Sequence, residues 1–104
     1  MAQFDIYRNP NPGSRKHAPY VVNLQSDHLV HLATRLCAPI KSVKSSSRPI
    51  EGLMPEIEIE GERFLILMQE IAAVPAALLG ARTGSAARHR FQLVSAVDLL
   101  ISGI

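Results

Sequence analysis

The stretch PEIEIEGERFLILM, Pro55 to Met68, constrains the fold of this chain more than any other. Ile57 and Ile59 alternate with Glu56, Glu58 and Glu60, and beyond Gly61 the residues Phe64, Ile66 and Met68 alternate in turn. Successive side chains of a strand point to opposite faces, so this period of two describes strands with one wet and one buried side. Two such runs meeting at a glycine predict a β-hairpin. An isolated hairpin is marginal in water, so the rest of the chain must cover its apolar face with further strands or a helix. The glutamates are read as the wet face. A carboxylate metal site would need His or Asp converging from elsewhere, and nothing in the pattern demands it.

Further strand signals precede the hairpin. QFDIY, Gln3 to Tyr7, predicts a half-buried strand, with Phe4 and Ile6 on one face and Asp5 and Tyr7 on the other. RNPNPGSRKHAP is a loop, because its prolines, glycine and asparagines forbid regular structure. YVVNLQS, Tyr20 to Ser26, is β-branched and aromatic and reads as a second strand. DHLVHLATR is one helical turn or an irregular link. RLCAPI, Arg35 to Ile40, is a short buried strand that Pro39 ends or places at an edge. KSVKSSSRPIEG is a second polar loop.

After the hairpin, EIAAVPAALLG predicts a short edge strand or turn at Val74-Pro75, with Leu78 and Leu79 packing inward and Gly80 closing it. GSAARHRFQLVSAVDLLISGI predicts the one good helix, with Ser85 as N-cap and Gly103 as the stop. Its stripe is Phe91, Val94, Val97 and Ile101, with Leu93, Leu100 and Ile104 beside it. So wide a stripe exceeds what one small sheet can cover, and predicts a second buried surface such as a dimer interface. The order of strands followed by one helix is α+β: a small antiparallel β-sheet, partly closed and barrel-like, with one C-terminal α-helix. At 104 residues the chain, 1–104, reads as a single domain.

Composition narrows the function by exclusion. The net charge of +2 is too mild to argue for nucleic acid, and with 5% aromatic residues and no tryptophan a base-stacking platform is poorly supplied. One cysteine, Cys37, makes no internal disulfide and fits a reducing compartment. Met1 to Tyr7 lacks a basic-then-apolar signal pattern, and IAAVPAALLGA is too short to span a bilayer, so the expected location is cytoplasmic with no membrane partner. His28 and His31 stand at a spacing metal sites use, but no third ligand accompanies them, and no metal or other cofactor is expected. Ser26-Asp27-His28 holds triad residue types side by side, where triad geometry is impossible. No motif flanks Cys37 as a nucleophile. The expectation is a binding protein and not an enzyme.

Several blocks then line up with one family. MAQFDIYRNPN, YVVNLQSD, RLCAPI, PEIEIEGERFLIL, AAVPAALLG and the final GI resemble the CcdB family, in order and spacing, over nearly the whole chain. Members are toxins of bacterial toxin–antitoxin pairs. The resemblance implies a homodimer that binds the A subunit of DNA gyrase and traps its cleaved-DNA complex, a cognate CcdA-like antitoxin, and operator DNA bound only through that antitoxin.

The family's gyrase contact is the extreme C-terminus, which here places gyrase binding on Ser102, Gly103 and Ile104. The best-known form carries tryptophan where this chain has Ser102. A buried tryptophan covers roughly 150–250 Å², worth up to about 4–6 kcal/mol at about 25 cal/mol/Å², and serine supplies almost none of that. The alternative is therefore an antitoxin-binding homologue with weakened or lost gyrase poisoning. Leu99 to Ile101 are expected in part to pack inward or across the dimer. The family's antitoxin contacts imply the loops Asn9 to His17 and Lys41 to Gly52, where Arg15, Lys16, Lys41, Lys44 and Arg48 would attract an acidic tail.

Overall fold

The computed structural model describes residues 2–45 and 48–103, the side chain of Ser45 excepted. Ser46 and Ser47 of the second polar loop, and Ile104 of the expected gyrase tip, lie outside the described residues. Among the described residues seven antiparallel strands curl into a half-barrel that the C-terminal helix completes. The strands are β1 (Asp5–Arg8), β2 (Tyr20–Asn23), β3 (Thr34–Ser42), β4 (Glu56–Ile59), β5 (Glu62–Ile66), β6 (Ala72–Pro75) and β7 (Arg82–Ser85). Their order across the sheet is β4-β5-β3-β2-β1-β7, and β6 pairs with β3 beyond the end of β5. The helix α1 runs from Arg90 to Ser102. The expected α+β class holds.

The hairpin forms as its sequence pattern predicts. β4 and β5 pair from Glu56↔Leu65 to Ile59↔Glu62, leaving Glu60 and Gly61 as a two-residue turn. Both turn residues have positive φ, 50° and 80°, the geometry of the turn whose twist matches the flanking strands. Ile57, Ile59, Phe64, Ile66 and Met68 are buried, while Glu56, Glu58 and Glu60 are exposed. Arg63 makes a bidentate ion pair with Glu56 on the wet face, at 2.6 and 2.9 Å, which holds the Glu56 carboxyl below its ordinary range.

The structure corrects several expectations. β1 is not half-buried: Asp5, Ile6 and Tyr7 are all buried. Ile6 joins the main core with Val22, Ala38, Ile40 and Leu93, while Tyr7 joins a second cluster of Val21, Cys37 and Leu79 on the other face. The alternation in sequence marked the two faces, but the chain covers both. Pro39 neither ends β3 nor lies at an edge, because β3 continues through it to Ser42 and pairs on both sides. Leu78 is exposed, and only Leu79 turns inward. Gly84 and Ser85 belong to β7, a strand the sequence reading missed, and are not the start of the helix. Ser85 Oγ accepts the Ala87 amide at 3.1 Å, but the N-cap of the 3-10 turn (Ala87–His89) ahead of α1 is Ala86 and that of α1 is His89, so Ser85 caps neither.

The helix itself is rotated relative to the expected stripe. Its buried residues are Leu93 and Ala96, with Val97 partly buried against the core. Phe91, Val94 and Ile101 face solvent. Phe91 is 82% exposed and Leu93 wholly buried. Leu93 and the small Ala96 lie on the line of the helix that packs against the core, and the bulkier line of Phe91, Val94 and Ile101 is left outside.

Candidate functional site

Two places in the fold carry the residues singled out from sequence. The first is the end of α1. Gly103 stops the helix in the left-handed region at φ 75°, and its amide donates to Leu99 O at 3.0 Å. Ser102 is exposed, and its hydroxyl donates back to Asp98 O at 2.6 Å, so its polar group is used within the helix. Ile101 is 77% exposed, while Leu99 is partly buried. Of the three residues expected to pack inward or across a dimer, Leu99 is partly buried, while Leu100 and Ile101 are exposed.

The N-terminal end of the same helix is basic. The Arg90 guanidinium sits 5.4 Å from the Phe4 ring centroid and donates to Gln3 Oε1 at 3.1 Å. Partial burial, with Arg88 beside it, pulls the His89 imidazole below its ordinary value.

The second place is the loop between β1 and β2. Although no regular structure was expected there, it is ordered around Asn9, which is buried. Asn9 Nδ2 donates to Ser14 Oγ at 2.9 Å and to Ala18 O at 2.7 Å, and Asn9 Oδ1 accepts the Asn11 amide at 3.0 Å. These bonds satisfy a buried side-chain amide and hold the loop in one shape. Arg15 is partly buried on this loop, its Nε donating to Asn9 O at 2.9 Å.

The five basic residues expected to draw an antitoxin do not share one pocket. Arg15 lines a cleft with Arg8, Pro19, Tyr20 and Thr83. Lys44 lines a different one, at the hairpin turn, with Glu60, Glu62 and Arg63. Lys16 and Arg48 are exposed, and Lys41 is partly buried near the end of β3. Arg8 was missed from sequence. What makes it notable is the register Arg8↔Tyr20, which sets it beside the loop, and no local pattern reports a register.

The other residues with chemical potential have structural work. Ser26 Oγ accepts the His28 amide at 3.2 Å, and Asp27 Oδ1 accepts the Gln3 amide at 2.7 Å. Among the described residues no group of three or more His, Cys, Asp or Glu is placed to hold a metal. Cys37 is in the wall of a cleft of about 530 Å³ between β6 and the Asn9–Pro12 segment. Burial pushes its thiol up to about 11, against the opposing pull of Arg35, which leaves it protonated and poorly nucleophilic at neutral pH. The Arg35 guanidinium is itself tied to the carbonyls of Val30, Leu32 and Thr34. Among the described residues no helix is long and apolar enough to cross a membrane.

A family model described as "CcdB protein" matches residues 3–103. No curated protein matches the chain.

Proposed function

The chain belongs to the CcdB family, the toxins of toxin–antitoxin pairs, and from that premise we propose that it is a homodimeric poison of DNA gyrase. It binds the gyrase A subunit through Ser102, Gly103 and Ile104 and traps the complex in which DNA is cleaved. It acts in the cytoplasm, without catalysis of its own. A CcdA-like antitoxin neutralises it, approaching the loops that carry Arg15, Lys16, Lys41, Lys44 and Arg48, and operator DNA is bound only through that antitoxin.

The observation that carries this reading is the tail. A helix whose last turn presents an exposed Ile101, followed by a left-handed glycine, offers an apolar tip to another protein and not to its own core. The homodimer is supported by Phe91 and Val94, large apolar side chains left exposed along α1. Purified protein in a gyrase cleavage-complex assay should accumulate cleaved DNA, and a chain lacking Gly103-Ile104 should not. Equal results for the two chains would sink the tip as the gyrase contact.

One observation favours a second reading. The Ser102 hydroxyl is engaged with Asp98 O, so this position presents neither an aromatic surface nor a free hydroxyl. In that reading the protein keeps fold, dimer and antitoxin but poisons gyrase weakly or not at all. Antitoxin binding without cleaved DNA in the same assay selects it.

A further inference from the structure

The turn that leads into β4 is closed by a sulfur. Ile50 and Met54 are joined twice: the Met54 amide donates to Ile50 O at 3.0 Å, and the Ile50 amide donates to Met54 Sδ at 3.3 Å. A second donor, Gln69 Nε2, lies 3.7 Å from the same sulfur. A thioether is a weak, polarisable acceptor, so one side of this closure rests on a soft and oxidisable atom. Met54 is only partly buried, whereas Met68 is wholly buried in the core.

The same turn is docked on α1. Gly52 has φ 80°, and a Cβ there would stand 3.4 Å from Leu99 Cδ2. Leu53 packs against the main core, and Gly52 and Pro55 line a groove of about 260 Å³ with Phe91, Gln92 and Ser95. Leu99 O accepts the Gly103 amide that ends the helix. The sulfur therefore closes a turn that lies against the last turn of α1.

We propose that Met54 is a site of oxidation to the sulfoxide by hydrogen peroxide, and that this modification lifts the Ile50–Met54 turn from the end of α1. A lone pair of the Met54 sulfur attacks one peroxide oxygen, the O–O bond breaks, and the proton of the transferred oxygen passes to the departing hydroxide to give water. Sulfur loses two electrons and the peroxide gains them. The new oxygen stands one bond beyond the sulfur and turns a soft apolar surface into a polar one. Gln69 is exposed, and its side-chain amide can follow that oxygen. The Ile50 amide belongs to the backbone and can follow only if the turn opens. Neither gyrase nor an antitoxin enters this chemistry, so it is independent of the toxin reading.

The test treats the full ¹⁵N-labelled chain with hydrogen peroxide and follows Met1, Met54 and Met68 separately by peptide mapping. Met54 should gain its oxygen at least about tenfold faster than Met68, because exposure governs the rate. The amide signals of Ile50, Gly52 and Gly103 should move in step with oxidation of Met54. Met54→Leu conserves the volume of the side chain and has no sulfur, so the same treatment should leave those signals in place. Met54 oxidised no faster than Met68, a Gly103 signal unmoved when Met54 is fully oxidised, or the same peroxide-induced movement in Met54→Leu would each overturn the proposal.

Discussion

The amide of Leu67 donates to the carbonyl of Pro39 at 2.9 Å. A strand residue's nitrogen and carbonyl point to the same side, so the proline nitrogen faces the place where β5 has ended at Ile66 and β6 has yet to begin at Ala72. The N–H that proline lacks would have had no ladder partner there. A proline inside a strand that pairs on both sides is therefore accommodated at the point where its neighbour changes.

Pro39→Ala should accordingly keep the sheet intact. The expected cost is about 0.4–1 kcal/mol, arising from the freer unfolded chain and not from a lost contact. Urea denaturation gives the number, and a loss well above this range would mean that the ring packs in a way the backbone geometry does not require.

The two neighbouring apolar positions of α1 should separate cleanly. Leu93 is wholly buried among Phe4, Ile6 and Met68 in the main core, and Leu93→Ala should cost about 2–5 kcal/mol. Phe91 is largely exposed, and Phe91→Ala should change the stability of the folded protomer by under about 0.5 kcal/mol. Sedimentation of Phe91→Ala reports separately on self-association.

Cys37 should be unreactive in the native protein. With its thiol pushed up to about 11, the thiolate fraction at neutral pH is about 10⁻⁴, and the side chain is buried. Iodoacetamide should label it at least ~100-fold more slowly in buffer than in concentrated urea. Comparable rates would show that the large cleft opens to the thiol in solution.

Stability should fall on mild acidification, in part through His89. Its imidazole is held below the ordinary value of 6.5, first by burial and then by Arg88. The native state thus binds fewer protons than the unfolded chain once pH drops below that value, and stability is lost as pH falls through the folded value. His89→Gln should flatten the difference between urea midpoints at about pH 7.5 and about pH 5.5. An unchanged difference would assign the acid sensitivity to carboxylates instead.

What was legible ahead of the fold was legible because it is local. The Glu-Ile alternation and Gly61 specify the hairpin through side-chain period and backbone freedom, and both act over a few residues. Gly103 as the helix stop and Val74-Pro75 as an edge strand follow in the same way. The order of strand signals followed by one helix carried the α+β arrangement, and the family blocks carried the toxin assignment.

Other features depended on which segments meet across the sheet. RTGS has little strand propensity and becomes β7 because β1 offers it a ladder from Asp5↔Ser85 to Tyr7↔Arg82. Phe91 and Leu93 are two residues apart with equal claims on the core, and the rotation of α1 that buries Leu93 with Ala96 leaves Phe91 outside. Arg8 and Arg15 meet in one cleft only because the β1–β2 register and the Asn9 bonds fold the loop back. Sequence patterns report a residue's own face and turn, whereas pairing register and helix rotation are settled by the packing of the whole chain, where the competing local preferences are close to equal.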